Sequence, residues 1–258
     1  MTLSAEQIAQ FLQQYLLPFT RIAMMLMVMP VLGSRVVSAR VRLVLSALLT
    51  VIVVPMLPPF TPLPLLSLAS AIAIFNEILI GALMGFCFQI VFQVFVLAGQ
   101  LMAMKMGLGF AMMNDPTNGV QTTVISQFFL ILTTVMFVAV NGHLYLISLL
   151  VQSFQSLPIL GGGPDPESVI ALVKMASWMF VAALVFALPV MTSLLFVNIA
   201  FGVMSRAAPQ LNIFAVGFPF TLVCGLGLIW LGLLNYSDSF DQIMNVGFEY
   251  VREFIEAR

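Results

Sequence analysis

Long apolar stretches alternate with short polar interruptions along the whole chain. Several long stretches contain no Asp, Glu, Lys or Arg, among them Ile78 to Met104, Met175 to Ser205 and Ala207 to Ser237. A helix needs about 20 mostly apolar residues to cross the hydrocarbon core of a bilayer. Each stretch is longer than that, so the pattern predicts membrane-spanning helices.

The complete set of apolar runs predicts about six spans. The runs are Phe11–Leu32, Leu43–Leu57, Leu65–Met104, Val124–Val151, Val169–Met204 and Ile213–Tyr236. Two of them are long enough to fold back, which would raise the number to eight, and Pro189 should kink or divide the second of these. Gly81, Gly85 and Gly99 mark points where a helix bends or packs closely on a neighbour.

Two interruptions are rich in proline and glycine. The segment PPFTPLP at 58–64 has too few backbone donors to continue a helix and predicts a rigid external turn. The segment LPILGGGPDPE at 157–167 is the best internal boundary. We therefore predict a linker over residues 161–168 between an N-terminal part, 1–160, and a C-terminal part, 169–258.

The last segment, residues 238–258, has a different pattern. Its apolar residues recur at steps of three and four, and they are Phe240, Met244, Phe248, Val251 and Ile255. Charged residues, mostly acidic, take the other faces, so the segment predicts an amphipathic helix. Helices that lie on membrane surfaces favour Lys and Arg. We therefore expect this helix to face a protein partner or solvent.

Composition and charge agree with a membrane protein. The 258 residues are 62% hydrophobic and 7% charged, with a mean hydropathy of +1.13 and a formal net charge of -1. Arg35, Arg40 and Arg42 form the densest positive cluster, so the loop that holds them should be cytoplasmic and the N-terminus should lie on the far side. The N-terminus lacks the basic start of a cleavable signal peptide. No basic tract indicates nucleic acid.

Few side chains suggest chemistry. A carboxyl at the depth of Glu77 costs a few kcal/mol on insertion scales, so it is a proton or cation site, a protonated acid, or one half of a polar pair with a neighbouring subunit. Asn141 and His143 indicate an inter-helix hydrogen bond rather than a proton relay. Cys87 and Cys224 are expected to be buried and unpaired. No catalytic pair, metal-ligand spacing or nucleotide loop is present, so we expect no enzyme activity, cofactor or metal.

The stretch GLGFAMMNDPTNGVQTT at 107–123 interrupts the apolar pattern with glycines, methionines and turn-forming polar residues. Glycine lowers the cost of unusual backbone angles, and Asn-Gly is a typical turn pair. A non-helical excursion is therefore predicted, and at membrane depth it needs cover from protein or a wet cavity. Flexible methionines suit a deformable seal, but an ordinary external loop fits equally well.

Three segments resemble the FliR family of flagellar export-gate proteins, whose relatives in virulence-type III secretion are the SctT proteins. They are MVMPVLGSRVVSARVRL at 27–43, GLGFAMMNDPTNG at 107–119 and MSRAAPQLNIFAVGFP at 204–219. Their order, the length and the hydropathy match this family over essentially the whole chain. Overall likeness favours the flagellar branch.

The resemblance implies an all-α membrane protein of six to eight long, partly broken helices. It implies assembly with FliP and FliQ into a helical, ring-like export gate of the inner membrane and flagellar basal body, which works with FlhB and FlhA and passes unfolded flagellar proteins. Residues 1–160 would resemble FliP, and residues 169–258 would resemble FliQ. The helices would face partner subunits as much as membrane lipid.

The resemblance also assigns roles to residues. It implies that one loop plugs the closed pore, and the matching positions are Gly107, Leu108, Gly109, Phe110, Met112, Met113, Asn114, Asp115, Pro116, Asn118 and Gly119. Glu77, Arg206 and Gln210 become candidates for polar contacts between subunits. The main alternative is a cation-coupled secondary transporter that uses Glu77 and this broken segment, although the chain lacks a matched second break. An intramembrane hydrolase is a more distant alternative.

Overall fold

The computed structural model describes residues 5–31, 33, 37–58, 60–61, 63–64, 67–109, 123–207 and 213–256, with backbone alone at 5–10 and 213–215. Almost all of these residues are helical, which confirms the predicted all-α fold. The helices are α1 (Ala5–Val28), α2 (Ala39–Val53), α3 (Leu68–Lys105), α4 (Val124–Ala139), α5 (Gly142–Ser156), α6 (Pro166–Ala207), α7 (Ile213–Gly232) and α8 (Tyr236–Glu256). Short 3-10 turns at Val54–Met56 and Leu233–Asn235 follow α2 and α7.

Five helical segments among the described residues are long and apolar enough to cross a membrane, and α4 with α5 makes a sixth if this bent pair counts as one span. The two longest runs do not fold back. α3 has 38 residues and α6 has 42 residues, and Pro189 lies inside α6 without dividing it. At 1.5 Å per residue these helices are about 57 and 63 Å long, roughly twice the 30 Å hydrocarbon core.

The run from Val124 to Val151, predicted as one span, is broken in the structure. Asn141 lies between α4 and α5 with a φ of 57°, in the left-handed region that Asn tolerates better than most residues. Gly142 follows directly, and a Cβ there would lie 2.5 Å from the ring of Phe137. Since the break precedes it, His143 lies in the first turn of α5 and not at a helix centre.

The described residues pack as two compact units. Unit 1 is formed by residues up to Ile90 together with Phe137–Ala176 and the chain after Val246, and unit 2 by Val91–Met136 and Ser177–Asn245. These units are defined by packing within one chain. The prediction of a FliP-like part, 1–160, and a FliQ-like part, 169–258, concerns likeness to other subunits and stays a prediction.

In unit 1, α1 packs very closely on α3 at two glycines. A Cβ on Gly81 would collide with the backbone carbonyl of Arg21, and a Cβ on Gly85 would lie 2.8 Å from the carbonyl oxygen of Met25. The two glycines are four residues apart, which places them on one face of α3, the arrangement that lets membrane helices approach closely. The expected close-packing role of both is confirmed.

The proline-rich turn of unit 1 is attached to α1 by one side chain. The Gln13 amide donates to the Leu63 carbonyl at 2.6 Å and accepts from the Leu63 N–H at 2.8 Å. Gln13 is buried. A segment with few backbone donors of its own is therefore held by a side chain that satisfies both polar groups of one residue.

In unit 2, the core is an aromatic cluster with one buried polar contact. Phe129 and Phe186 pack edge to face with ring centroids 5.5 Å apart, and Phe95 and Tyr236 lie 5.8 Å apart. The Tyr236 hydroxyl also lies 2.8 Å from the Thr133 hydroxyl. The cluster fixes Tyr236, the first residue of α8, among α3, α4 and α6.

The amphipathic helix predicted for 238–258 is confirmed as α8. In unit 2 the side chains of Phe240 and Met244 are buried, and in unit 1 those of Val251 and Ile255 are buried. Phe248 packs on Phe88 and Tyr145 in unit 1. The apolar face of α8 is therefore covered by its own chain, and its acidic face remains exposed.

Substitution of Gly81 tests the contact between α1 and α3. G81A should lower the free energy of unfolding by about 1–3 kcal/mol, because the added methyl group overpacks the interface. G202A is the matched control, since nothing lies within 4 Å of a Cβ at this position of α6. Thermal unfolding of the purified protein in detergent measures both. Equal midpoints for the two variants would contradict the close contact.

Candidate functional site

Only part of the predicted functional residues can be described. Glu77, Gly107, Leu108, Gly109 and Arg206 belong to the described residues. The other predicted positions lie outside them, and they are Phe110, Met112, Met113, Asn114, Asp115, Pro116, Asn118, Gly119 and Gln210. The structure therefore describes the start of the predicted plug loop, 107–109, and the helix start at Thr123 that follows the loop.

The first end is a tight helix stop at the end of α3. The Leu108 N–H donates to the Ala103 carbonyl at 3.0 Å, and the Gly107 N–H donates to the Met104 carbonyl at 3.1 Å. Gly107 has a φ of 85°, so these bonds form the Schellman motif that commonly ends helices at glycine. Gly107 is thus a fixed terminator of α3. Gly109 is unlike it, because the nearest atom to a Cβ there is 3.8 Å away.

The second end is a capped helix start. Thr123 precedes α4, and its hydroxyl accepts from the Ser126 N–H at 3.2 Å, which is the usual N-cap contact. Within unit 2 the same turn lies against α3, since a Cβ on Gly99 would be 2.8 Å from the Ser126 Cα. Hydrogen bonds and close helix packing therefore fix the chain at Gly107 and again at Thr123.

A second polar feature lies inside unit 1, where Glu77 of α3 meets Arg21 of α1. The Arg21 Nε donates to one carboxylate oxygen at 2.7 Å, and its Nη2 donates to the other at 2.9 Å. Arg21 is 0% exposed and Glu77 is 2% exposed. This is a buried, two-pronged ion pair, the strongest geometry for these groups.

Arg21 also binds the end of α5. Its Nη1 donates to the Ser153 carbonyl at 2.9 Å, and its Nη2 donates to the Leu157 carbonyl at 2.9 Å. The guanidinium carbon lies 4.2 Å from the centroid of the Phe154 ring. A cation is favourable at this point because the carbonyl ends of a helix carry partial negative charge. One side chain therefore joins α1, α3 and α5.

The sequence reasoning identified Glu77 but missed Arg21. Arg21 lies inside the first apolar run, between Phe11 and Leu32, where the hydropathy pattern does not single it out. Its charge is nevertheless a signal, because a guanidinium at membrane depth requires a partner as much as a carboxylate does. Pairing each isolated charge in an apolar run with an opposite charge in another run would have suggested this pair.

The other candidate side chains are not brought together. Arg206 is exposed in the last turn of α6. The Nδ1 atom of His143 is buried without a hydrogen-bond partner. The prediction of an inter-helix hydrogen bond at His143 is therefore wrong for this atom. Both cysteines are unpaired as expected, and Cys87 is fully buried, but Cys224 is only half-buried because it lies on a less covered face of α7. Among the described residues, no group of three His, Cys, Asp or Glu side chains could hold a metal.

Comparison with known proteins identifies the family. The profile of the family described as "Bacterial export proteins, family 1" matches residues 12–246. The chain belongs to the FliR family. The flagellar biosynthetic protein FliR of Pectobacterium carotovorum subsp. carotovorum is 38% identical over 234 residues, which are 91% of this chain and 88% of that protein. The flagellar biosynthetic protein FliR of Escherichia coli (strain K12) is 37% identical over 226 residues, which are 88% of this chain and 86% of that protein.

The FliR family extends to more distant relatives. The flagellar biosynthetic protein FliR of Bacillus subtilis (strain 168) is 30% identical over 208 residues, 80% of each chain. Each of these relatives carries the flagellar name, which confirms the branch favoured by the three resembling segments. The chain is therefore a flagellar biosynthetic protein of the export family, and its long apolar helices make it a membrane protein.

The buried pair in unit 1 predicts unequal effects of substitution. R21M should cost about 3–5 kcal/mol, because it leaves the Glu77 carboxylate buried without a counter-charge. The double variant R21M/E77M should be less destabilised, since it leaves no buried charge. Thermal unfolding in detergent gives the comparison, with R206M at the exposed Arg206 as the control. A double variant as unstable as R21M would show that the charge of Glu77 does not matter.

The helix stop at Gly107 gives a further prediction. G107A should cost about 1–2 kcal/mol, because an L-residue is strained at this left-handed φ. G109A should change stability by less than about 0.5 kcal/mol, as expected for an unconstrained position. Unfolding midpoints of the two variants, measured in parallel, test this difference. Equal midpoints would contradict the fixed geometry at Gly107.

Proposed function

We propose that this chain is a non-enzymatic subunit of the flagellar type III export gate. In this proposal it assembles with FliP and FliQ into the membrane channel, works with FlhB and FlhA, and passes unfolded flagellar proteins. It resides in the bacterial inner membrane within the flagellar basal body. The observation that carries the proposal is membership of the FliR family over residues 12–246.

The uneven burial of the helices supports assembly with other subunits. Of the 18 residues that make up the apolar stretch of each segment, 61% are buried inside the chain in α3, 22% in α6 and 17% in Val216–Glu256. Phe180 and Phe196 of α6 and Trp230 of α7 are all more than half exposed. Large exposed apolar surfaces mark interfaces with protein or membrane. Because α6 is about twice as long as a bilayer core is thick, we propose that partner subunits cover part of it.

The loop over residues 107–119 is proposed to plug the closed pore. The helix stop at Gly107 fixes the start of the loop, and the capped start of α4 at Thr123 lies four residues after its last residue. Phe110, Met112 and Met113 supply apolar side chains, and methionine adapts to surfaces of varied shape. The polar residues that follow tolerate a wet channel. These properties suit a seal that has no fixed chemical partner.

The alternative of a cation-coupled transporter is weaker. It requires the Glu77 carboxylate to bind and release a cation during transport. Both oxygens of that carboxylate accept hydrogen bonds from Arg21, which already supplies the positive charge. A contact between Glu77 and a neighbouring subunit is likewise not proposed. Arg206 remains a candidate for such a contact because its side chain is exposed.

Replacement of the apolar side chains in the loop tests the plug. In F110S/M112S/M113S the loop keeps its length, and ion leakage through the assembled gate should rise by about tenfold or more, since each apolar contact is worth over 1 kcal/mol and 1.4 kcal/mol is tenfold. Q121S, outside residues 107–119, is the control. Leakage is measured in cells, and co-purification with FliP and FliQ shows that the complex has formed.

Two results would count against the proposal. Unchanged leakage in a variant that still co-purifies with FliP and FliQ would remove the plug role while leaving gate membership intact. Purification of the wild-type chain as a stable monomer, without these partners, would overturn gate membership itself.

A further inference from the structure

Within unit 2, the start of the loop touches α7 at two points. We define the loop root as residues 106–109. The Met106 side chain lies against Gly225, where an added Cβ would be 2.5 Å from its Cγ atom. The Phe218 ring covers Gly107, where an added Cβ would be 2.9 Å from its Cδ2 atom. Both α7 positions therefore fit the loop root closely.

The fit is specific to these positions of α7. Gly227 and Gly232 lie on the same helix, and nothing is within 4 Å of a Cβ at either one. Met106 is fully buried, so a methyl group at 225 would force its side chain to shift within a packed site. A substitution at 225 therefore disturbs the loop root, whereas at 227 and 232 the chain would accept alanine.

α7 itself is only lightly anchored. Its buried residues in the described part form one narrow line, Thr221, Gly225 and Ile229, on successive turns. Val216, Val223 and Trp230 on other faces are 60–70% exposed. An element with few buried contacts moves at a lower free-energy cost than one that is packed on all sides. α7 can therefore shift more readily than α3, which carries the loop root.

We infer that α7 is the element that positions the loop root, through Gly225 against Met106 and Phe218 against Gly107. A displacement of α7 that separates these contacts frees the root, and a partner subunit bound to the exposed face of α7 holds it in place. The consequence for channel closure rests on the plug role proposed above. The positioning itself does not, because it concerns contacts within one chain.

A cysteine at position 108 reports on the root directly. In a C87A/C224A background, L108C is placed in the assembled complex and its reaction with a maleimide is timed. G225A should raise that rate by about tenfold, which corresponds to about 1.4 kcal/mol and lies within the range for residues in contact. G227A is the matched control and should leave the rate within about twofold of the parent, as for a surface position.

A second variant keeps the test decisive if G225A does not assemble. F218A removes the ring that covers Gly107 without adding bulk, and it should also raise the L108C rate. F220A is its control, because the Phe220 ring packs on Phe201 of α6 instead. Unchanged L108C rates in G225A and F218A complexes, or equal changes in the two controls, would overturn the inference.

Leakage separates this inference from the plug role. If G225A and F218A change the L108C rate and also raise ion leakage, both proposals are supported. If they change the rate while F110S/M112S/M113S leaves leakage unchanged, α7 positions the root and the plug role fails. If that loop variant leaks while the L108C rate in G225A and F218A equals that of the parent, the plug role stands and control by α7 fails.

Discussion

The buried pair of Arg21 and Glu77 determines how unit 1 is built. Neither charge is stable alone in an apolar core, and their attraction is effective only when the two helix backbones come close. Gly81 permits that approach one turn after Glu77, where the backbone of α1 lies directly over it. The remaining donors of Arg21 then fix the end of α5. The packing of three helices therefore depends on one guanidinium and on a glycine that leaves room for a close backbone contact.

α3 connects this pair with the predicted plug loop along a single helix. Its first half carries Glu77, Gly81 and Gly85 in unit 1, and its second half carries Gly99 in unit 2 and leads directly into Met106 and Gly107. Its apolar stretch is also more deeply buried than those of the other spanning segments described. A helix that is apolar on nearly every face is expected to be buried in this way. The loop therefore starts from the best-packed element of the chain.

Sequence patterns predicted the helices, the amphipathic end and the close-packing glycines, because each of these depends on local spacing. They did not reveal Arg21, since its partner is 56 residues away and no local pattern connects the two. The break at Asn141 was also missed, because one left-handed residue followed by glycine is a weak signal inside an apolar run. The continuity of α3 and α6 could not be decided either. Apolar length fits both one long helix and two short ones, and the neighbours that choose between them are distant in sequence.

Hydropathy has a further limit that bears on the function. A helix face that is covered by lipid and one that is covered by another subunit are both apolar. Hydropathy alone therefore cannot tell which of the two covers the exposed faces of α6 and α7. Helix length distinguishes them better, because a continuous helix about twice as long as the hydrocarbon core is thick needs apolar cover beyond the bilayer. Protein subunits can supply that cover. The geometry of a single chain thus favours an assembly, and the exposed faces of α6 and α7 are where its neighbours are expected to pack.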